Sequence, residues 1–160
     1  MKTAPVASIL YIEDDRPSAK LIQRIFAKEF SYLQLIIVSN GESARNALIG
    51  EEYLEWDPNS DISVKHKKTT FKAAIWDNQF PDREGSPPSV DMGLNLAREL
   101  ALSNKVSETV LSHFAMSSAD EGQQKFQSCG LFSYVLPKPV NLQTLREMIR
   151  KWGLAEEEKS

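Results

Sequence analysis

The run Phe71-Lys72-Ala73-Ala74-Ile75-Trp76-Asp77 is apolar almost to its end and stops on one carboxylate, ahead of Asn78-Gln79-Phe80-Pro81. An apolar run of this length without alternation reads as a strand buried on both faces of a parallel sheet. In open parallel sheets ligands sit outside the carboxyl ends of the strands, so Asp77 would stand at the mouth of a site. The plainer reading is that Asp77 only opens a turn, as Asp does before Asn and Pro. The rest of the chain decides between the two.

Val6 to Ile12 is a second buried-strand pattern, and it ends on three consecutive acids, Glu13, Asp14 and Asp15. A helix is expected at once, because Pro17 suits a first helical position and Leu21, Ile22, Ile25 and Phe26 repeat at helical spacing. Asp15 fits as the N-cap, which accounts well for one acid and only loosely for two. Three carboxylates crowded at a strand end repel one another, and a bound divalent cation is the simplest thing that offsets this.

Leu33 to Val38 is the next strand, closed by Ser39-Asn40-Gly41, and a helix is expected over about Glu42 to Ile49. From Gly50 to Thr70 the pattern breaks down, and the stretch is longer than an ordinary connection. It reads as an insertion with room for a short hairpin; His66 reads as a solvated loop residue, and Lys65, Lys67 and Lys68 as a solvated basic face. A second unusual segment, Asp82 to Asp91, follows the Asp77 strand. Further on come a helix from Met92-Gly93, a strand centred on Phe114-Ala115-Met116 with His113 as a packed or edge residue, and a helix over about Asp120 to Cys129. A strand from Phe132 to Leu136 and a helix from Leu142 to Trp152 complete the series. Five strands alternating with five helices, joined by right-handed crossovers, make an α/β fold: a doubly wound, five-stranded, open parallel sheet with helices on both faces. The domain is expected over residues 1–153, with insertions at about 50–70 and 82–91 and a charged tail at 154–160.

Composition narrows the function. With 19 basic and 22 acidic residues in 160, there is no broad basic footprint for direct nucleic-acid binding or an anionic membrane. The lone Cys129 makes no internal disulfide or zinc site and reads as a small buried hydrophobe. Neither a signal peptide nor a transmembrane run is recognisable, and a cytoplasmic location is expected.

At the strand ends the sequence thus places Glu13, Asp14 and Asp15, then Asp77, then Ser117 or Ser118, then Lys138. Each type has a task in phosphoryl transfer. Mg²⁺ needs one or two carboxylates with substrate oxygens and water. An aspartate can be the nucleophile, already ionised at neutral pH, and lysine and serine can face the charged phosphoryl oxygens.

These motifs resemble those of the receiver domains of two-component response regulators, CheY-like modules of flavodoxin-like fold that are phosphorylated on aspartate by histidine kinases. Leu10-Tyr11-Ile12-Glu13-Asp14-Asp15 resembles the first-strand motif, its acidic pair falling on Glu13 and Asp14. Ile75-Trp76-Asp77 with Pro81 resembles the phosphoacceptor segment, Met92-Gly93-Leu94 the start of the third helix, and Lys138-Pro139 a lysine-proline pair with a cis peptide bond. The resemblance covers about residues 6–152. It implies that Asp77 is phosphorylated, that Glu13, Asp14, Asp77 and the main-chain carbonyl of Gln79 hold Mg²⁺, and that Lys138 contacts the phosphoryl group. The switch hydroxyl matches Ser117, with Ser118 as the alternative.

The partners so implied are a histidine kinase or histidine phosphotransfer protein and a downstream protein effector, with neither direct nucleic-acid nor membrane binding, and a phosphorylation-dependent dimer left open. The protein would not be an enzyme beyond Mg-dependent self-phosphorylation and autodephosphorylation. Four departures stand out: the two insertions, a short segment between the serines and Gly130 that reduces or shifts the fourth helix, and Val135 where an aromatic is expected, with Tyr134 one residue off. A haloacid-dehalogenase-type phosphatase would need an acid at the place of Gln79, and no Gly-rich Lys-Ser/Thr loop for a nucleotide exists. The remaining rival is a degenerate receiver acting as a phosphorylation-independent interaction module. Whether the receiver is free-standing or cut from a larger chain stays open.

Overall fold

The structure, a computed structural model, describes residues 7–66, 68–118 and 123–156. Its chain order is β1 (Ala7–Ile12), α1 (Arg16–Glu29), β2 (Leu33–Val38), α2 (Gly41–Leu48), β3 (Tyr53–Asp57), β4 (Ile62–His66), β5 (Ala73–Asp77), β6 (Phe80–Pro81), β7 (Pro88–Ser89), α3 (Met92–Ala101), α4 (Glu108–Leu111), β8 (Phe114–Ser118), α5 (Gln123–Ser128), β9 (Tyr134–Pro137) and α6 (Leu142–Lys151). Five strands form one sheet in the order β2-β1-β5-β8-β9, and every pair is parallel. This is the doubly wound sheet expected from the alternation of apolar runs and amphipathic segments, in the flavodoxin-like strand order that the resemblance implies.

Alternation along the strands divides the core in two. Leu10, Ile12, Trp76, Phe114 and Met116 pack with side chains of α2, α3, α4 and α5. Ile9, Tyr11, Ile75, Ala115 and Leu136 pack with α1 and α6. Most helix starts follow local rules: Asp15, Asn40 and Asn141 each accept a hydrogen bond from a main-chain amide three residues on, satisfying a donor the helix leaves open. Among the described residues no helix is long and apolar enough to cross a membrane.

The first insertion does contain a hairpin, with β3 and β4 antiparallel. It packs against β2, an edge strand of the main sheet, and against α2. Tyr53 enters one core and Trp56 the other, so the hairpin closes the side of the molecule that β2 would leave open. His66 is not a solvated loop residue. It lies on β4, half-buried, its ring stacked on Tyr53 at 5.1 Å with Nδ1 3.1 Å from the Tyr53 hydroxyl. The side-chain bond to Tyr53 depends on the pairing of β3 with β4, which sets His66 opposite Tyr53.

The second insertion folds back on itself as the short antiparallel pair β6-β7. Val106 and Val110 are buried, but Val110 belongs to the short helix α4 and the fourth sheet strand starts only at Phe114, so the apolar stretch is split between two elements. His113 sits just before β8, with Nδ1 3.0 Å from the Lys72 carbonyl oxygen and its ring 5.7 Å from Trp152. Cys129 is half-buried against the core, its Sγ 3.1 Å from the Phe126 carbonyl. The expected helix at 120–129 is seen as α5, its first residues lying outside those described; the charged tail falls largely outside them too, although Leu154 packs on the core.

Candidate functional site

Parallel strands in register bring their carboxyl ends to one level. Ile12 pairs with Trp76, Asp77 with Ser117, and Ser118 with Pro137. The next residues of β1 and β9 are therefore Glu13 and Lys138, and the two flank Asp77 although they are 125 positions apart in sequence. Lys138 Nζ donates to Glu13 Oε1 at 2.7 Å and to Asp77 Oδ1 at 3.1 Å. The Lys138–Pro139 peptide is cis.

An open crevice of about 680 Å³ lies above these groups, lined by Asp14, Asp15, Asp77, Asn78, Gln79, Pro88, Ser118 and Lys138. Pro88 enters from the second insertion. Glu13 is fully buried behind the crevice, and Asp77 is 8% exposed. Asp15 is occupied as the cap of α1, with Oδ2 accepting from the Ser18 amide at 3.1 Å and the Ser18 hydroxyl at 2.6 Å. The hydroxyl bond of Ser18, followed by its amide bond, lowers the Asp15 pKa.

The two candidate serines separate by strand alternation. Ser117 shares the face of Ala115 and pairs with Leu136, on the α1/α6 side; its hydroxyl is buried and finds no partner among the described residues. Ser118 shares the face of Met116 and lines the crevice. Val135, opposite Met116, packs on that same core, whereas Tyr134 packs on the other and its hydroxyl donates to Glu147 at 2.8 Å. The structure thus brings Glu13, Asp14, Asp77, Gln79, Ser118 and Lys138 together and leaves the Ser117 hydroxyl out of the crevice.

The electrostatics are those of an excess of carboxylates. Burial, then the hydrogen bond and charge of Asp77, push Glu13 up to about 9, against the opposing pull of Lys138. Protonated, Glu13 can donate toward Asp77; ionised, its Oε2 is a buried atom with no partner among the described residues. Asp14 is raised by burial and next by the Asp77 charge. Burial works against the Lys138 ammonium, but Glu13 and Asp77 outweigh it and its pKa is raised. Glu13, Asp14 and Asp77 each offer an oxygen, and these atoms lie within 4.8 Å of one another. One ammonium facing three carboxylates, one of them with a buried unpartnered oxygen, is a donor set that fits a hard divalent cation.

Asn78 was not singled out by the sequence, though a polar residue at the foot of a buried strand is a usable signal. It is 3% exposed; its Nδ2 donates to Asp91 Oδ1 at 2.7 Å and its Oδ1 accepts from the Leu94 amide at 3.2 Å. Gly93 lies so close below it that an added Cβ would come 2.0 Å from the Asp77 carbonyl oxygen.

No protein-family model and no curated protein matches this sequence. Many solved structures share its fold over nearly the whole chain, response regulators and receiver domains prominent among them. The bacteriophytochrome response regulator RtBRR aligns with 96% of this chain and 81% of its own at 16% identity and a TM-score of 0.68. A two-component response regulator from Legionella pneumophila aligns with 93% of this chain and 99% of its own at 18% identity and a TM-score of 0.65. The CheY-like receiver domain from Methylobacillus flagellatus aligns with 94% and 99% at 19% identity and a TM-score of 0.63. The fold of this chain is that of a CheY-like receiver domain.

Proposed function

We propose that this chain is a phosphoacceptor receiver in a two-component phosphorelay, taking a phosphoryl group onto Asp77 from a phosphohistidine of a histidine kinase or phosphotransfer protein. The observation that carries the reading is the position of Asp77: a carboxylate at the foot of an open crevice, held by Lys138 and flanked by Glu13 and Asp14.

In the transfer an oxygen of the Asp77 carboxylate forms the new bond to phosphorus as the bond to the imidazole nitrogen breaks, and the electron pair leaves with the imidazole. No base is required, because the nucleophile is already an anion. Lys138, bonded to Asp77 at rest, stands where it can follow the charge onto the phosphoryl oxygens, the donor role such a site needs. Glu13, Asp14, Asp77 and the Gln79 carbonyl would hold Mg²⁺, which when bound neutralises charge on the transferring group.

Ser118 would be the hydroxyl that meets the phosphorylated aspartate, and its position on the crevice wall supports it over Ser117. The switch then acts on a protein-binding surface on the α2-α5 side of the sheet, where a downstream effector would dock. With Val135 rather than an aromatic opposite Met116, on the sheet face that Ser118 shares, that switch lacks a large ring to relocate.

Incubation with acetyl phosphate and Mg²⁺, read by intact mass, tests this. The wild-type protein should gain one phosphoryl increment and Asp77→Asn none, with unchanged circular dichroism. Equal labelling of both would refute the assignment, and absence of labelling on the folded wild type would favour the interaction module that never takes phosphate.

A further inference from the structure

We propose that Asn78 and Asp91 are positioning residues that transmit the state of Asp77 to α5 through Lys125. This rests on the phosphoacceptor reading and adds the route by which the site is read out.

The route is an unbroken run of hydrogen bonds starting at the residue after the acceptor. The Asn78 carbonyl accepts from the Gly93 amide at 3.1 Å, and its side-chain Oδ1 accepts from the Leu94 amide at 3.2 Å, so Asn78 holds the first turn of α3 by two bonds. Its Nδ2 donates to Asp91 Oδ1 at 2.7 Å, and Lys125 Nζ on α5 donates to that same oxygen at 2.9 Å. Only a side-chain amide serves both ends. It offers an acceptor to Leu94 and a donor to the carboxylate, where Asp would set two carboxylates against each other and Leu would bond neither.

Asp91 is held in a left-handed backbone conformation, φ 57°, that a non-glycine residue rarely adopts. A strained residue fixed by two side-chain bonds in a part-buried position is over-determined by its partners, which is how such strain persists. Asp91 also shows the effect electrostatically, its pKa being lowered first by the Asn78 bond and next by that of Lys125. Asp91 ends the second insertion, so the inserted segment is tied at its end to both the acceptor strand and α5.

The backbone is equally tight. With the Gly93 α-carbon against the Asp77 carbonyl, no slack exists between the acceptor and α3, and a shift of Asp77 on gaining a phosphoryl group must move Asn78 and the α3 start together. The first contacts to register the shift outside the crevice are those of Asp91 with Asn78 and Lys125.

Hydrogen exchange of the α5 amides, residues 123–128, tests this in the full chain with and without beryllofluoride and Mg²⁺ as the phosphoryl mimic. In the wild type the mimic should change their exchange on the order of tenfold. In Asp91→Ala the response should fall below about twofold while acetyl-phosphate labelling of Asp77 stays within about twofold of wild type, the coupling alone being lost. Asp91→Asn, which keeps an acceptor oxygen and tolerates the left-handed backbone, should restore most of the response. A full response in a labelled, folded Asp91→Ala overturns the transmission route alone. A wild type that neither labels nor responds overturns the phosphoacceptor reading and this route with it.

Discussion

The acidic crevice and the β3-β4 hairpin, whose turn is held by Arg16 at the start of α1, spend their polar groups in opposite ways. In the hairpin every noted side chain is satisfied: Trp56 Nε1 donates to Asp61 at 2.9 Å, Tyr53 shares His66 and Thr69, and Arg16 donates to the carbonyls of Pro58 and Asn59 at 2.9 and 3.0 Å. At the crevice three carboxylates face one ammonium, and a buried oxygen of Glu13 has no partner among the described residues. The hairpin is built for stability and the crevice against it. Unsatisfied, like-charged groups held together at a strand end are the pattern expected where a ligand supplies the missing partner.

Substitutions can break that contrast. Trp56→Ala removes a buried ring that joins the hairpin to the α1/α6 core and should cost about 3 kcal/mol in denaturant unfolding, with labelling of Asp77 in the folded protein unchanged. If labelling is lost along with stability, the two regions are not separable as described. Lys138→Ala should slow labelling on the order of a hundredfold, the effect of removing one donor to a developing anion, and a rate near wild type would remove Lys138 from the chemistry.

Glu13 sharpens the same contrast through pH. Its pKa is raised from 4.5 to about 9 in the folded chain, so the native state holds this proton more tightly than the unfolded state does. The contribution is full below the ordinary carboxylate range and is lost as pH climbs toward about 9, so without divalent metal stability should decline across that window. The lowered carboxyls, Asp15, Asp57 and Asp91, act in the opposite sense and only below about pH 4, outside it. Glu13→Gln should flatten the decline, and Mg²⁺ should reduce it. A metal-free wild type whose stability is flat from pH 5 to 9 would contradict the burial-driven shift. The smallest effect belongs to the outer face of the hairpin: Ile62→Thr and Val64→Thr, at residues 57% and 61% exposed, should change unfolding free energy by no more than about 0.5 kcal/mol.

Much of the crevice was legible in the sequence because its parts obey local rules. Apolar runs ending at Ile12 and Asp77 fix the strand ends, and Asp15 is marked as a cap by Pro17 and the helical spacing after it. In a parallel sheet whose helices cross over with one hand, the carboxyl ends of the strands share one edge, and the observed order then brings Glu13, Asp77 and Lys138 together.

Which of Ser117 and Ser118 lines the crevice was not legible. A slip of one residue turns a strand side chain to the other face, and the register of β8 comes from its pairing with β5 and β9 rather than from its own residues. His66 was misjudged for a related reason, since its partner Tyr53 belongs to the opposing strand of a hairpin inside an insertion. Asn78 was overlooked because its role depends on Asp91 and Lys125, 13 and 34 positions from the residues they bond.

The most direct measurement locates the phosphoryl group itself. Borohydride reduction after acetyl-phosphate treatment converts an acyl phosphate on aspartate to homoserine, and peptide mass mapping then reads the position. The account predicts homoserine at position 77 alone, dependent on Mg²⁺. Homoserine at another aspartate, or none from a protein that has gained phosphoryl mass, would contradict it.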